Sequence, residues 1–211
     1  MLNVLAAGAL ALSTLTVPAQ AARLADPPDG TVTVQLVTVN GTGCPVGTTA
    51  IALDPNHENE FFTITYNAFT AQVGPGIPLI DSRRGCQISV QVKVPSGFTF
   101  AIAKTDYRGF ANLARGAFGV ERASYYFSGN SETPSMSHRF NGPWEDNWQA
   151  TDEVGVGALV FRPCGAQRYF NIKTDVIVNA GSSPRSSTSF VTMDSTDVNF
   201  STVYHFAWRT C

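Results

Sequence analysis

Between residues 87 and 94 the chain alternates without a break: Ile88, Val90, Val92 and Val94 fall on one side, and Gln87, Ser89, Gln91 and Lys93 on the other. A period of two belongs to an extended strand with one buried and one wet face. Pro95, Ser96 and Gly97 then make a turn, and Phe98, Phe100 and Ile102 resume the alternation, so the two runs read as a hairpin. Similar runs at 31–39, 60–69, 125–128, 157–162, 169–179 and 189–193 predict further strands. The clearest is 198–208, where Val198, Phe200, Thr202, Tyr204, Phe206 and Trp208 share a face.

No segment keeps a helical period. The best attempt, residues 110–118, is broken by Gly116 and flanked by Gly109 and Gly119, which leaves at most one turn of helix. Eight or more short strands separated by Gly, Pro, Asn and Asp predict an all-β fold, a single-domain antiparallel β-sandwich over residues 22–211. The 211 residues carry a net charge of -2, and only 14% are Asp, Glu, Lys or Arg, against about 25% in an average soluble protein. With no cluster of Lys and Arg, the chain lacks the electrostatic footprint of a nucleic-acid binder.

Residues 1–21 read as a secretory signal: an uncharged apolar run over 2–17, then Pro18 and the small-residue pattern Ala19, Gln20, Ala21. That run is shorter than the roughly 20 residues needed to span a bilayer, and no later stretch is long enough, so no membrane span is expected after cleavage. Secretion suits the cysteines. Cys44, Cys86, Cys164 and Cys211 are an even set with no C-x-x-C spacing, the pattern of structural disulfides. Four cysteines allow three pairings, of which the local one, early with early and late with late, is favoured.

Several strings recur in order: Gly41-Thr42-Gly43-Cys44-Pro45, Cys86-Gln87, Tyr107-Arg108-Gly109-Phe110, Tyr125-Tyr126-Phe127-Ser128-Gly129, Pro163-Cys164-Gly165, Phe170-Asn171-Ile172-Lys173-Thr174 and Trp208-Arg209-Thr210-Cys211. Together they resemble a family of small secreted fungal and bacterial proteins known as a domain of unknown function (DUF4360-like). The resemblance implies a secreted, disulfide-bonded domain and brings no catalytic residue with it.

The most functional-looking segment is an acidic, aromatic stretch, 142–148, expected to be a loop, with Thr151, Asp152 and Glu153 after it. Indoles such as Trp144 and Trp148 can stack on sugar rings while Glu145 and Asp146 accept hydroxyl hydrogen bonds. The same carboxylates, with Asp152 and Glu153, could hydrolyse a glycosidic bond if two of them stood at a working separation. His57, His138 and His205 sit in no recognisable catalytic frame, and no metal site or cofactor is expected. The acidic segment 54–60 reads as a polar hairpin tip. Asn40-Gly41-Thr42 and Asn199-Phe200-Ser201 are acceptor sequons for N-glycosylation in a eukaryotic host. The aromatic strings 125–127 and 61–62 must split between the two faces of a strand, which would leave some rings outside the core. The expectation is a non-enzymatic extracellular or wall-associated module. Its partner would be cell-wall polysaccharide or an extracellular protein. A polysaccharide hydrolase and a structural or host-interaction protein are the alternatives.

Overall fold

The computed structural model describes residues 24–57, 59–131, 135–194 and 201–211. The expected signal segment 1–21 and the sequon at Asn199 lie outside the described residues. Twelve strands are described: β1 (Thr33–Asn40), β2 (Thr49–Leu53), β3 (Phe61–Tyr66), β4 (Thr70–Val73), β5 (Arg83–Lys93), β6 (Phe98–Leu113), β7 (Phe118–Phe127), β8 (Met136–Asn141), β9 (Trp144–Glu153), β10 (Phe170–Asn179), β11 (Ser189–Met193) and β12 (Thr202–Thr210). They form two antiparallel sheets, the sandwich expected from the alternating pattern.

One sheet runs β1-β5-β10-β7-β8. The other runs β2-β3-β12-β6-β11-β4, with β9 on β6 as well. Strand β6 is the spine: β12 pairs with residues 98–106 and β11 with 109–112, while β9 pairs with 104–113. Because those ranges overlap, β9 must occupy the hydrogen-bonding edge opposite β12 and β11. Edge strands β8 and β9 follow one another directly, so the chain passes from one sheet to the other at Gly142-Pro143. A side chain at 142 would run into the carbonyl oxygens of Ala114 and Leu113, which fits glycine to this crossing.

Two disulfides hold the sandwich, Cys44–Cys86 and Cys164–Cys211, with Cα atoms 5.5 and 5.7 Å apart. The core lies between the sheets and is rich in aromatics. Phe62 stacks on Tyr204 with centroids 4.9 Å apart, and Phe100 meets both Phe127 and Phe206 edge-on. Tyr125 and Phe127 point inward, whereas Tyr126 points outward and its hydroxyl accepts from Gln87 Nε2; Phe62 and Phe61 divide the same way.

Four local readings are corrected. Residues 87–94 and 98–102 are not a hairpin, since β5 pairs with β1 and β10 and β6 lies in the other sheet. Both edges of β5 are filled, and residues 95–97 carry the chain across the sandwich. Segment 157–162 is not a strand; it begins inside a 3-10 turn at Val156–Ala158 and continues as irregular chain. Residues 110–118 contain no helical turn; they are the end of β6, a tight turn closed by Ala117 N–H on Ala114 O, and the start of β7. The acidic aromatic segment is strand rather than loop, because its alternation continues through Glu153 and its backbone pairs with β6.

Candidate functional site at the β8–β9 edge

Strand β9 sorts its side chains by parity. Trp148, Ala150 and Asp152 are buried on the core side, while Glu145, Asn147, Gln149, Thr151 and Glu153 are exposed. Trp148 is only 3% exposed. Its ring packs on Phe140 of β8 at 4.8 Å, and its Nε1 donates to Thr192 O at 3.1 Å. Gly109, its partner in register, makes room, since a Cβ there would meet both the indole and Thr192 O. The expected pair of surface indoles therefore reduces to one. Trp148 is a core plug, and Trp144, 36% exposed, is the one of the two that reaches the surface.

Trp144 is mounted firmly. Its ring meets Phe140 edge-on at 6.1 Å and its Nε1 donates to Asp146 O at 3.1 Å. Phe140 thus joins the exposed indole to the buried one, and the three rings run from solvent to core. Glu145 and Asp146 follow Trp144 along the strand, both exposed, and Asp146 Oδ1 accepts from the Asn147 N–H at 2.7 Å. As neighbours on a strand they project to opposite faces.

That alternation also decides the hydrolytic alternative. Glu145 and Glu153 share the outer parity but are eight residues apart, roughly 26 Å along a strand, and Asp146 and Asp152 are separated by roughly 20 Å. Paired-carboxylate hydrolysis needs about 5 to 9.5 Å. The neighbours Glu145–Asp146 and Asp152–Glu153 face opposite ways. No pair among these four carboxylates makes a glycosidase site.

Farther along the same edge lies a buried polar cluster that the sequence reading missed. Asp152 accepts from Tyr125 OH at 2.9 Å and Tyr107 OH at 3.1 Å, and its Oδ1 lies 2.7 Å from His138 Nε2. His138 stands on β8 and Asp152 on β9, so this contact ties the two sheets together. In register with His138 is Glu121 of β7, fully buried, with both carboxyl oxygens lacking a hydrogen bond among the described residues. Burial, then the nearby charges of Asp152 and Asp175, push the Glu121 carboxyl well above its ordinary range. Tyr66 and Tyr204 extend this polar layer, and burial raises both phenols. A signal was present in the sequence: Glu121 has the same parity as Ala123, Tyr125 and Phe127, so an inward β7 face puts a carboxyl in the core.

On the outer face of β6, Asp106 gathers Thr151 Oγ1 at 2.7 Å, His205 Nε2 at 2.9 Å and Lys104 Nζ at 2.9 Å. Burial alone would raise this carboxyl, but the hydrogen bonds from Thr151, Lys104 and His205 carry it below its ordinary value. His57 stacks on Phe61, and its carboxylate neighbour is Asp54, with Nδ1 3.6 Å from Oδ1. The Phe61 ring also lies 5.7 Å from that of His205, so His57 and His205 flank one aromatic ring, while His138 belongs to the Asp152 cluster. Among the described residues no group of three or more His, Cys, Asp and Glu is arranged to hold a metal ion. Asn40 is exposed at the end of β1.

Comparison with known proteins places the chain. A solved structure titled TmCBM61 in complex with beta-1,4-galactotriose aligns over 82% of this chain and 88% of its own, at 11% identity and a TM-score of 0.32. The enzymatically active domain of bacteriophage CBA120 tailspike protein 4 aligns over 82% of this chain and 19% of its own, at 9% identity and a TM-score of 0.29. Scores this low carry nothing over to this chain. Sequence says more: an uncharacterized secreted protein of Arthroderma benhamiae is 35% identical over 175 residues, covering 83% of this chain and 70% of that protein. The family model described as a domain of unknown function, DUF4360, matches residues 30–211. The chain belongs to that DUF4360 family and is a secreted protein.

Proposed function

We propose that the protein is a non-enzymatic extracellular or wall-associated module that binds a glycan at the β8–β9 edge. Trp144 would stack on a sugar ring, and Asp146, on the same face of β9, would accept a hydroxyl hydrogen bond beside it, while Glu145 projects to the opposite face. The observation that supports this reading is the mounting of Trp144: an exposed indole braced by Phe140 and by its own Nε1 bond loses little entropy when a ring settles on it. The separation and opposed directions of the four nearby carboxylates weigh for binding over hydrolysis. Trp148 has no part in contact, because its ring is inside the sandwich.

The test is co-sedimentation of the purified protein with insoluble chitin, β-glucan, cellulose and peptidoglycan, beside Trp144→Ala and an Asn40→Gln control. Retention on one polymer by wild type and control, lost in a folded Trp144→Ala, is the expected result. Retention that Trp144→Ala leaves intact would move the site elsewhere on the molecule.

A further inference from the structure

A groove of about 620 Å³ runs between the turn that links β5 to β6 and the segment around the Cys164–Cys211 disulfide. Its walls are tied together. The disulfide closes one side, Cys211 N–H donates to Gly97 O at 2.8 Å across it, and Arg162 N–H donates to Phe100 O at 3.0 Å. Lys93, Arg162 and Arg168 line it, and no Asp or Glu does. Tyr169, 44% exposed, adds an aromatic ring, with Pro95 and Phe98 as further apolar surface.

Arg162 is the unusual member. It is 8% exposed, and among the described residues no carboxylate pairs with it. Nη1 donates to Val92 O at 3.2 Å, the guanidinium carbon lies 5.4 Å from the centre of the Phe100 ring, and Nε has no acceptor among the described residues. Burying a guanidinium is costly unless an anion or a full set of acceptors meets it. Here that set is incomplete, and Arg162 is part of the groove's lining. Burial also pulls this guanidinium below its ordinary proton affinity, as expected of a cation without a counter-ion. Arg168 Nη1 is held by Ser128 O at 2.6 Å, which fixes a second cation at the rim.

We propose that this groove binds an acidic sugar residue, its carboxylate over Arg162 between Lys93 and Arg168 and its ring against Tyr169. A planar oxyanion matches the guanidinium fork, and a partly apolar ring matches the Tyr169 wall. The groove shares no residue with the β8–β9 edge, so this inference stands or falls apart from the function proposed above.

Titration calorimetry of the full protein with trigalacturonate, neutral galactotriose and sodium sulfate tests it. Trigalacturonate is expected to bind, weakening as salt rises, while the neutral trimer is at least tenfold weaker, because charged hydrogen bonds are worth roughly that factor or more. Lys93→Gln and Arg168→Gln, both exposed positions that spare the core, should each weaken trigalacturonate by about tenfold. Trp144→Ala should not change it. Trigalacturonate and galactotriose binding equally, or unaltered affinity in a Lys93→Gln, Arg168→Gln double variant, would overturn the proposal. Sulfate binding as tightly as trigalacturonate would overturn its saccharide part, leaving a simple anion site.

Discussion

Replacing Asp194 by asparagine should change how stability depends on pH. Asp194 follows β11, is 2% exposed and has a left-handed backbone, φ 54°. Asparagine tolerates that conformation as well as aspartate does. Its Oδ2 accepts the Tyr66 N–H at 3.0 Å, whereas Oδ1 is buried without a partner among the described residues. Burial pushes the carboxyl from its ordinary 3.8 to about 8, a rise only partly opposed by the Tyr66 N–H. The folded state therefore holds the proton more tightly than the unfolded one. The associated stability is complete below about pH 4 and is lost as pH climbs through 8. Over that interval the loss is about 5 kcal/mol, of which about 4 falls between pH 5 and pH 9. Asparagine keeps an acceptor for Tyr66 and cannot ionise. Urea unfolding at half-unit steps from pH 5 to 9 should show wild type falling about 4 kcal/mol further than Asp194→Asn. Parallel profiles for the two proteins would refute the reasoning.

Glu121→Gln should leave stability nearly unchanged at pH 5 and raise it at pH 9, because glutamine mimics the protonated form and removes an ionisation that burial opposes; urea midpoints at the two pH values check this. Trp148→Ala should cost about 3 to 5 kcal/mol, the usual range for emptying a large aromatic site, and also leaves Thr192 O without its donor; denaturant unfolding measures it. Reducing both disulfides, whose cysteines are 42 and 47 residues apart, should remove about 4 kcal/mol each in the chain-entropy model. Thermal melting with and without reductant, with reduction confirmed by mass, gives the comparison.

Local alternation made most of the sandwich legible. The inward rows of β5 and β12 are those that the valines of 88–94 and the aromatics of 204–208 mark out. Partnership was not legible, because strand, turn and strand look alike whether the chain folds back within one sheet or crosses to the other. That is why 87–94 and 98–102 resembled a hairpin. At the β8–β9 edge the residue types were readable and their exposure was not. Trp144 and Trp148 are equally apolar in sequence, and only the pairing of β9 with Gly109 buries the second. The Asp152–His138–Tyr107–Tyr125 cluster was hidden because its members come from four strands. The groove around Arg162 was hidden for a similar reason, since Lys93 is remote in the chain from Arg162 and Arg168 and meets them only through the crossing turn and the Cys164–Cys211 bridge.

Tryptophan fluorescence offers the most direct test of the central claim. Of the three tryptophans, Trp148 and Trp208 are 3% and 2% exposed, so acrylamide quenching reports chiefly on Trp144. Soluble oligosaccharides of whichever polymer retains the protein should shield that indole and lower the quenching constant in step with occupancy. Saturating oligosaccharide that binds yet leaves quenching unchanged would contradict a glycan site at Trp144.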